Sequence, residues 1–292
     1  MMRKKPMLAY PVSKKPIDYT DEVFIQPKLD GVRCVIQGEY TKEMTIKPTA
    51  YSRTGKEWKN INHILKELVP FFKKHPDVIL DGELYNHDLK NDFEKIISLV
   101  IKTKPTISDR IESAGMVQFH CYDIINEDWT FEDRNLFIQE HFGYYGKYNC
   151  NSVRDVLTST VHKHEEALNI HYDENIKNGY EGSIVRLNEP YKCKRAHNLK
   201  KFKDFSDAEA TIIGYDVGKG KRVGTLGKFI MQDDEGKEFG CPPGKGYNYK
   251  DMKDMLDNIH DYIGERATFT YFERTKAGSY RHPLFKAIRN YE

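Results

Sequence analysis

Apolar residues in the first two-thirds of the chain recur in two rhythms, one near 2 and one near 3.6 residues. Val23–Ile36 is apolar and β-branched on both sides of Lys28–Gly31, which predicts two strands joined there. Ile61, Ile64, Leu65, Leu68, Phe71 and Phe72 share one helical face, with Asn60 placed to cap it. Val78–Tyr85 reads as a strand, Phe93–Ile101 as a helix and Met116–Ile125 as a strand. Thr130 with Asp133 three residues on forms a capping box that opens a helix through Phe142. His164–Asn178 is a polar-faced helix stopped by Gly179, and Ser183–Leu187 is a short strand. Near Ser206 the texture changes. Ala210–Tyr215, Gly227–Gln232 and Ala267–Phe272 are strand-like runs between glycine-rich turns, with one helix near Tyr249–Ile263. The pattern predicts an α+β domain over 1–206, then a barrel of about five short strands with one helix over 207–292.

Composition narrows the class. Hydrophobic residues make up 39% and charged residues 31% of the 292, enough for a core but too polar for a membrane protein. No run approaches the roughly 18 apolar residues of a spanning helix. The basic start, Met1–Pro6, is followed by no apolar segment before Tyr10, so no secretion signal is expected. Cys34, Cys121, Cys150, Cys193 and Cys241 are scattered and never form C-x-x-C. That argues against a disulfide framework or a Cys-rich zinc site and for a reducing cytoplasm. His162-x-His164 reads as a solvated helix face rather than a metal pair. The net charge of +2 conceals two basic runs, Lys192–Lys203 and Lys219–Lys228. They are either the footprint of a polyanion partner or two solvated surface stretches.

Four short segments carry candidate chemistry. The first is Gln26-Pro-Lys28-Leu-Asp30-Gly31-Val-Arg33, with a lysine at the end of an apolar strand. A lysine attacks only when neutral, and at an ordinary pKa near 10.4 neutrality at pH 7 costs roughly 4–5 kcal/mol. Burial or neighbouring cations must lower that cost. Taken alone, K-x-D-G is equally an ordinary hairpin turn. The second segment is Asp81-Gly82-Glu83-Leu84, and the third is Glu181-Gly-Ser-Ile-Val-Arg186. Each places an acid beside a strand, able to meet a ribose hydroxyl or, as a pair, Mg²⁺. In the fourth, Lys201 and Lys203 lie two apart and so face one side of a strand, either toward a triphosphate or as the charged edge of a sheet.

The order of these segments is more specific than any one of them. K-x-D-G-x-R, Ser52-Arg53-Thr54-Gly55, D-G-E-L, Tyr122-Asp123, E-G-S-I-V-R and K-x-K together resemble the covalent nucleotidyltransferase superfamily. Within it, Tyr191–Phe205 and the tail Arg281-His-Pro-Leu-Phe285…Arg289 resemble ATP-dependent DNA ligases of small phage or viral type. The resemblance implies a nucleotidyltransferase (adenylation) domain of antiparallel sheets with helices, followed by an all-β OB-fold barrel. It implies that Lys28 carries AMP. It further implies that Gln26, Arg33, Glu83, Tyr122, Lys201 and Lys203 hold the nucleotide, with Tyr122 stacking on adenine. Glu83 and Glu181 would support Mg²⁺ or Mn²⁺, and Arg53 and Arg195 would hold the nick phosphate. The implied partners are ATP and nicked duplex DNA. The implied setting is a monomer without membrane attachment in the cytoplasm, the host's if phage-encoded. GTP-using capping enzymes and RNA ligases share the lysine motif. A nucleic-acid clamp without the chemistry would bind duplex but take no label.

Overall fold

The computed structural model describes residues 2–12, 22–90, 92–162, 165–202, 206–244, 246–271, 274 and 278–289. The chain divides into two compact units, 1–203 and 204–292.

The first unit contains, in order, β1 (Leu8–Pro11), β2 (Glu22–Pro27), β3 (Val32–Tyr40), β4 (Ile46–Tyr51), α1 (Asn62–Glu67), α2 (Val69–Lys74), β5 (Ile79–Tyr85), α3 (Phe93–Val100), α4 (Ile107–Met116), β6 (Gln118–Ile124), α5 (Phe131–Phe142), β7 (Val153–Asp155), β8 (Ser159–His162), α6 (Glu165–Lys177), β9 (Ser183–Leu187) and β10 (Arg195–Phe202). They form two five-stranded sheets, ordered β4-β3-β5-β6-β7 and β1-β10-β9-β2-β8. Alternation along β3, β5 and β6 sends Cys34, Ile36, Leu80, Leu84 and Phe119 to one face, where helices bury them with Phe71, Ile96 and Ile138. The other face carries Val35 and Ile79, which pack with Met7, Ala196 and Leu199 of the second sheet. The two sheets therefore face each other, and the polar residues between them belong to both.

Several elements differ from the sequence expectation. The helix expected over Ile61–Phe72 is two, α1 and α2, meeting at Leu68. Pro70 in the first turn of α2 has no N–H and opens a helix better than it continues one. Asn60 does not cap α1. Its buried amide donates to the carbonyls of Leu99 (2.9 Å) and Asp109 (3.2 Å), tying the helix start to α3 and α4. Helix α4 was not expected, although Thr106 and Asp109 form its capping box. Helix α5 runs over the expected residues with both halves of its box in place. His162 lies in β8 rather than on a helix face, and His164 lies outside the described residues. The sheets are not wholly antiparallel, since β1–β10 and β6–β7 are parallel.

The second unit contains β11 (Ser206–Val217), β12 (Leu226–Gln232), β13 (Glu238–Cys241), α7 (Tyr249–Asp257), β14 (Arg266–Tyr271) and β15 (Leu284–Ile288). They form one antiparallel sheet, ordered β13-β12-β11-β14-β15, over a core of Ile212, Phe229, Phe269 and Phe285. The last residue of the strand expected over Ala267–Phe272 lies outside the described residues. With α7 present the unit is not all-β, and among the described residues its sheet is not a closed barrel. Among the described residues its ends meet where Gly244 N–H donates to the Phe285 carbonyl (2.9 Å) and Phe285 N–H to the Pro242 carbonyl (2.9 Å), with Tyr247 OH donating to the Lys286 carbonyl (2.7 Å) beside them. Pro242 and Pro243 lack N–H groups, so this seam cannot extend into a ladder. No described helix is long and apolar enough to cross a membrane.

Candidate active site

Strand β2 ends at Pro27, and the next residue is drawn to a segment far along the chain. Lys28 N–H donates to Gly182 (2.8 Å), and Glu181 N–H donates to the Lys28 carbonyl (3.0 Å). The Lys28 ammonium is ion-paired with the Glu181 carboxylate, whose side chain is buried. Gly182 has φ 145°, where a side chain is strained. Gly31 is required for another reason than the sharp turn its sequence suggests. Its φ is not in the left-handed region, but a Cβ there would lie 2.4 Å from the Leu84 carbonyl and 2.7 Å from Glu83 Cγ. Gly31→Ala should therefore lower the unfolding free energy by about 1–3 kcal/mol. Gly115→Ala, in open space on α4, should raise it by up to about 1 kcal/mol. Urea titrations of both variants make the comparison, and equal effects would refute the close-approach argument.

Strand β5 brings in the second acid. Asp81 and Glu83 alternate with Leu80, Gly82 and Leu84, and so face the second sheet. Arg33 stands opposite Glu83 in the β3–β5 register. Its guanidinium grips Asp81 with two bonds, 2.6 and 2.5 Å. Tyr122 OH donates to Glu83 Oε2 (3.2 Å). Burial pushes the Glu83 carboxyl up to about 7, against the opposing pull of Arg33 and Lys28. The folded chain thus keeps this proton to higher pH than the unfolded chain, so Glu83 lowers stability as pH rises from about 4.3 toward 7. Glu83→Gln removes that slope. Its denaturation midpoint should gain on the wild type between pH 5 and pH 7, and parallel pH curves would refute the shift.

Tyr122 reaches this face through an irregularity. In the β5–β6 ladder Asp81 pairs with Asp123 and Gly82 with Cys121, so a bulge leaves Tyr122 without a partner of its own. Cys121 and Ile124 point to the helix-backed core, and both Tyr122 and Asp123 point between the sheets. Bulges re-aim side chains in this way. Gly82 also allows the close pairing, since a Cβ there would lie 2.4 Å from the His120 carbonyl. The guanidiniums of Arg33 and Arg186 lie 5.1 and 5.5 Å from the Tyr122 ring centre.

Gln26 is buried behind Tyr122. Its amide donates to the Tyr122 carbonyl (3.2 Å) and Thr158 Oγ1 (2.9 Å), and its oxygen accepts from Arg186 (2.8 Å). Arg186 and Arg134 converge on Asp123 at 2.5 and 2.6 Å. Tyr191 OH donates to Asp81 (2.7 Å).

Direct contacts thus form two groups, Lys28 with Glu181 and Glu83 with Tyr122 and Arg33, which the charge of Lys28 acting on Glu83 links, with Gln26 behind Tyr122. Lys201 stands opposite Ile184, which stands opposite Gln26, so Lys201 occupies the same sheet face as Gln26. Lys203 lies outside the described residues. Arg53 is exposed on the turn after β4, where Gly55 has φ 89°. Arg195 is exposed on β10, donates to the Ala9 carbonyl, and lies 5.7 Å from the Tyr10 ring, which stacks on His197. Both arginines are surface groups outside the network around Lys28. Among the described residues no three His, Cys, Asp or Glu side chains converge as a metal cage.

Asp81, Asp123, Arg134 and Thr158 take roles here that their sequence positions alone do not assign. Arg134 had a signal, being a charged residue on the α5 face that carries Phe131 and Ile138. Thr158, in the turn between β7 and β8, had none.

Comparison with known proteins bears on this geometry. The model of the family described as "ATP dependent DNA ligase domain" matches residues 6–203, and that of the "DNA ligase OB-like domain" matches 217–289. The chain belongs to the ATP-dependent DNA ligase family. A DNA ligase of African swine fever virus is 31% identical over 289 residues, covering 91% of this chain. The chain spans 64% of the length of that viral ligase. A Haemophilus influenzae DNA ligase is 24% identical, with 96% of this chain and 90% of the relative covered. Solved Lig E DNA ligases share the fold at TM-score 0.78 and 22% identity, with 99% and 100% of the chains covered. The fold is therefore the nucleotidyltransferase and OB-fold pair of the ligase family.

Proposed function

We propose that the protein seals nicks in duplex DNA, taking AMP from ATP onto Lys28 and passing it to the 5′-phosphate of the nick. Residues 1–206 act as the adenylation domain and 207–292 as the OB domain of a monomer working in the cytoplasm. The observation that carries this reading is a lysine paired with one acid, Glu181, and lying within electrostatic reach of a second, Glu83, which itself meets an aromatic and faces an arginine, in a chain of this family.

The chemistry follows from these residues. Lys28 Nζ, once it has lost a proton, forms a bond to the α-phosphorus of ATP. The bond from that phosphorus to the oxygen bridging to the β-phosphorus breaks, and pyrophosphate leaves. The nick's 5′-phosphate then displaces Lys28 from the AMP, and the adjacent 3′-hydroxyl displaces AMP from the DNA. Each step is an in-line phosphoryl transfer, in which positioning and charge neutralisation supply most of the rate. Tyr122 offers a face for adenine, and Arg33, Lys201 and Lys203 supply positive charge. Glu83 and Glu181 are oxygen donors of the kind Mg²⁺ or Mn²⁺ takes, and their number leaves room for water and phosphate. When bound, the cation neutralises phosphate charge. Arg53 and Arg195, both exposed, hold the nick phosphate.

Intact mass of the purified protein tests the reading. Incubation with ATP and magnesium should add one AMP, and pyrophosphate should remove it. GTP should add nothing, and a nicked duplex with DNA at the 3′ side should be sealed. Transfer from GTP, or sealing only of an RNA strand, would replace this reading with its superfamily alternatives.

A further inference from the structure

The two acids beside Lys28 reach it from separate parts of the chain, and one imidazole joins their supports. His87 follows β5, four residues beyond Glu83, in a single 3₁₀ turn capped by Asn86. Its Nδ1 lies 2.8 Å from Tyr85 OH, and the ring also hydrogen-bonds the Asn178 backbone. Its face packs on the Tyr180 ring at 4.5 Å. Asn178 and Tyr180 belong to the turn that ends α6 and delivers Glu181.

That turn closes on itself, with Tyr180 N–H donating to Asn175 and Gly179 N–H to Ile176 (both 2.9 Å), and it also takes a donor from outside. Helix α6 ends at Lys177, Gly179 beyond it has φ 85°, and the Asn178 carbonyl lies past the last helical residue. The Asn178 carbonyl accepts from Lys90 Nζ (3.0 Å) as well as from His87. Two donors from the segment after β5 thus catch one carbonyl at the negative end of the helix, where donors are favoured. Leu29, next to Lys28, packs with Tyr85, Val156 and Tyr180 in the same cluster. A shift of the 178–180 turn therefore reaches Glu181, and through it the ion pair with Lys28.

We infer that His87 is a positioning residue that sets Glu181 against Lys28 by fastening the 178–180 turn to the strand carrying Glu83. The inference rests on Lys28 being the adenylated residue. His87 touches no reacting atom, and its role is to fix the distance between the two acids.

Two side chains separate its two bonds. Asparagine at 87 keeps an acceptor near the Nδ1 position but is too short to reach Asn178, whereas glutamine can place a donor near the position of the other ring nitrogen. His87→Asn should lower the rate of AMP transfer to Lys28, at saturating ATP, by about tenfold to a hundredfold. His87→Gln should restore most of that rate. The KM for ATP should stay near the wild-type value, because the adenosine contacts lie elsewhere.

A second readout needs no nucleotide. A lysine held in an ion pair is shielded from an amine-acylating ester, so mass mapping should find Lys28 acylated faster in His87→Asn while other lysines keep their rates. Slower adenylation with faster acylation is the signature of a displaced Glu181. If His87→Asn unfolds, Lys90→Met, which removes the other donor to Asn178, carries the same test. A wild-type protein that takes no AMP would overturn the reading beneath this inference. A labelled wild type matched in both assays by His87→Asn, or by Lys90→Met in its place, would overturn the positioning role alone. Equal acceleration of all lysines would also overturn it, by showing general loosening.

Discussion

Lys28→Ala should abolish nick sealing from ATP, a loss of roughly 10⁴-fold or more. In the proposed mechanism Lys28 is the only group that forms a bond to AMP in the first step, and alanine offers no nucleophile. Lys28→Arg should be equally inert despite keeping the charge that faces Glu181, because a guanidinium stays protonated throughout the working range. Both variants should remain folded, since Lys28 is anchored through its backbone to Glu181 and Gly182 and its side chain fills no core. The informative substrate is a nick already carrying AMP on its 5′-phosphate. In the proposed final step Lys28 forms no bond, so Lys28→Ala should join that substrate at a rate within about tenfold of the wild type. Gel assays of ordinary and pre-adenylated nicks compare the two directly. Stable AMP on Lys28→Ala would move the nucleophile elsewhere.

Asp123→Ala should produce the largest loss of stability, about 3–5 kcal/mol. Asp123 is fully buried and is shared by Arg134 and Arg186, which are also buried. Arg134 further donates to the carbonyls of Trp129 (2.6 Å) and Glu189 (3.1 Å), and Arg186 donates to Gln26. Those bonds hold both guanidiniums in place when the carboxylate is removed, leaving two buried positive charges without a counter-charge. A small domain has only about 5–15 kcal/mol in total, so the variant should sit near its unfolding threshold. Asp123→Asn keeps an acceptor and should lose less. Urea denaturation midpoints decide the matter, and a loss below about 1 kcal/mol would show that the arginines find other partners. Because Arg186 lies against Tyr122, the surviving folded fraction should also bind ATP more weakly.

How much of this was legible in the sequence varied with the range of the interaction. Helix α5 was readable because its cap and its apolar stripe lie within a few residues of each other. Strand β5 was readable because Leu80, Gly82 and Leu84 alternate with two acids. The split of α1 from α2 was also local, at Pro70, but the apolar spacing ran across it and masked it. The OB-fold was readable, but among the described residues its sheet stays open at the seam for a local reason too, the paired prolines 242 and 243. At Asn60 a capping residue and a buried tie between helices look alike in sequence until the partners, Leu99 and Asp109, are in place.

Taken alone, the sequence determined which chemistry the chain can carry. The order of Lys28, Glu83, Tyr122, Glu181 and Lys201 is a linear property, and so is its resemblance to the ligase family. Tertiary structure decided how those residues meet. The bulge at Tyr122 depends on the register of β6 against β5, which no short segment encodes. The pairing of Lys28 with Glu181 crosses 153 positions and exists only because β2 and β9 lie side by side. Gln26 became a buried brace for Tyr122 and Arg186 because the second sheet closes over it. The physical reason is common to all three. Periodicity and capping act over a few residues, whereas register, burial and ion pairing are set by strands that meet only when the whole sheet forms.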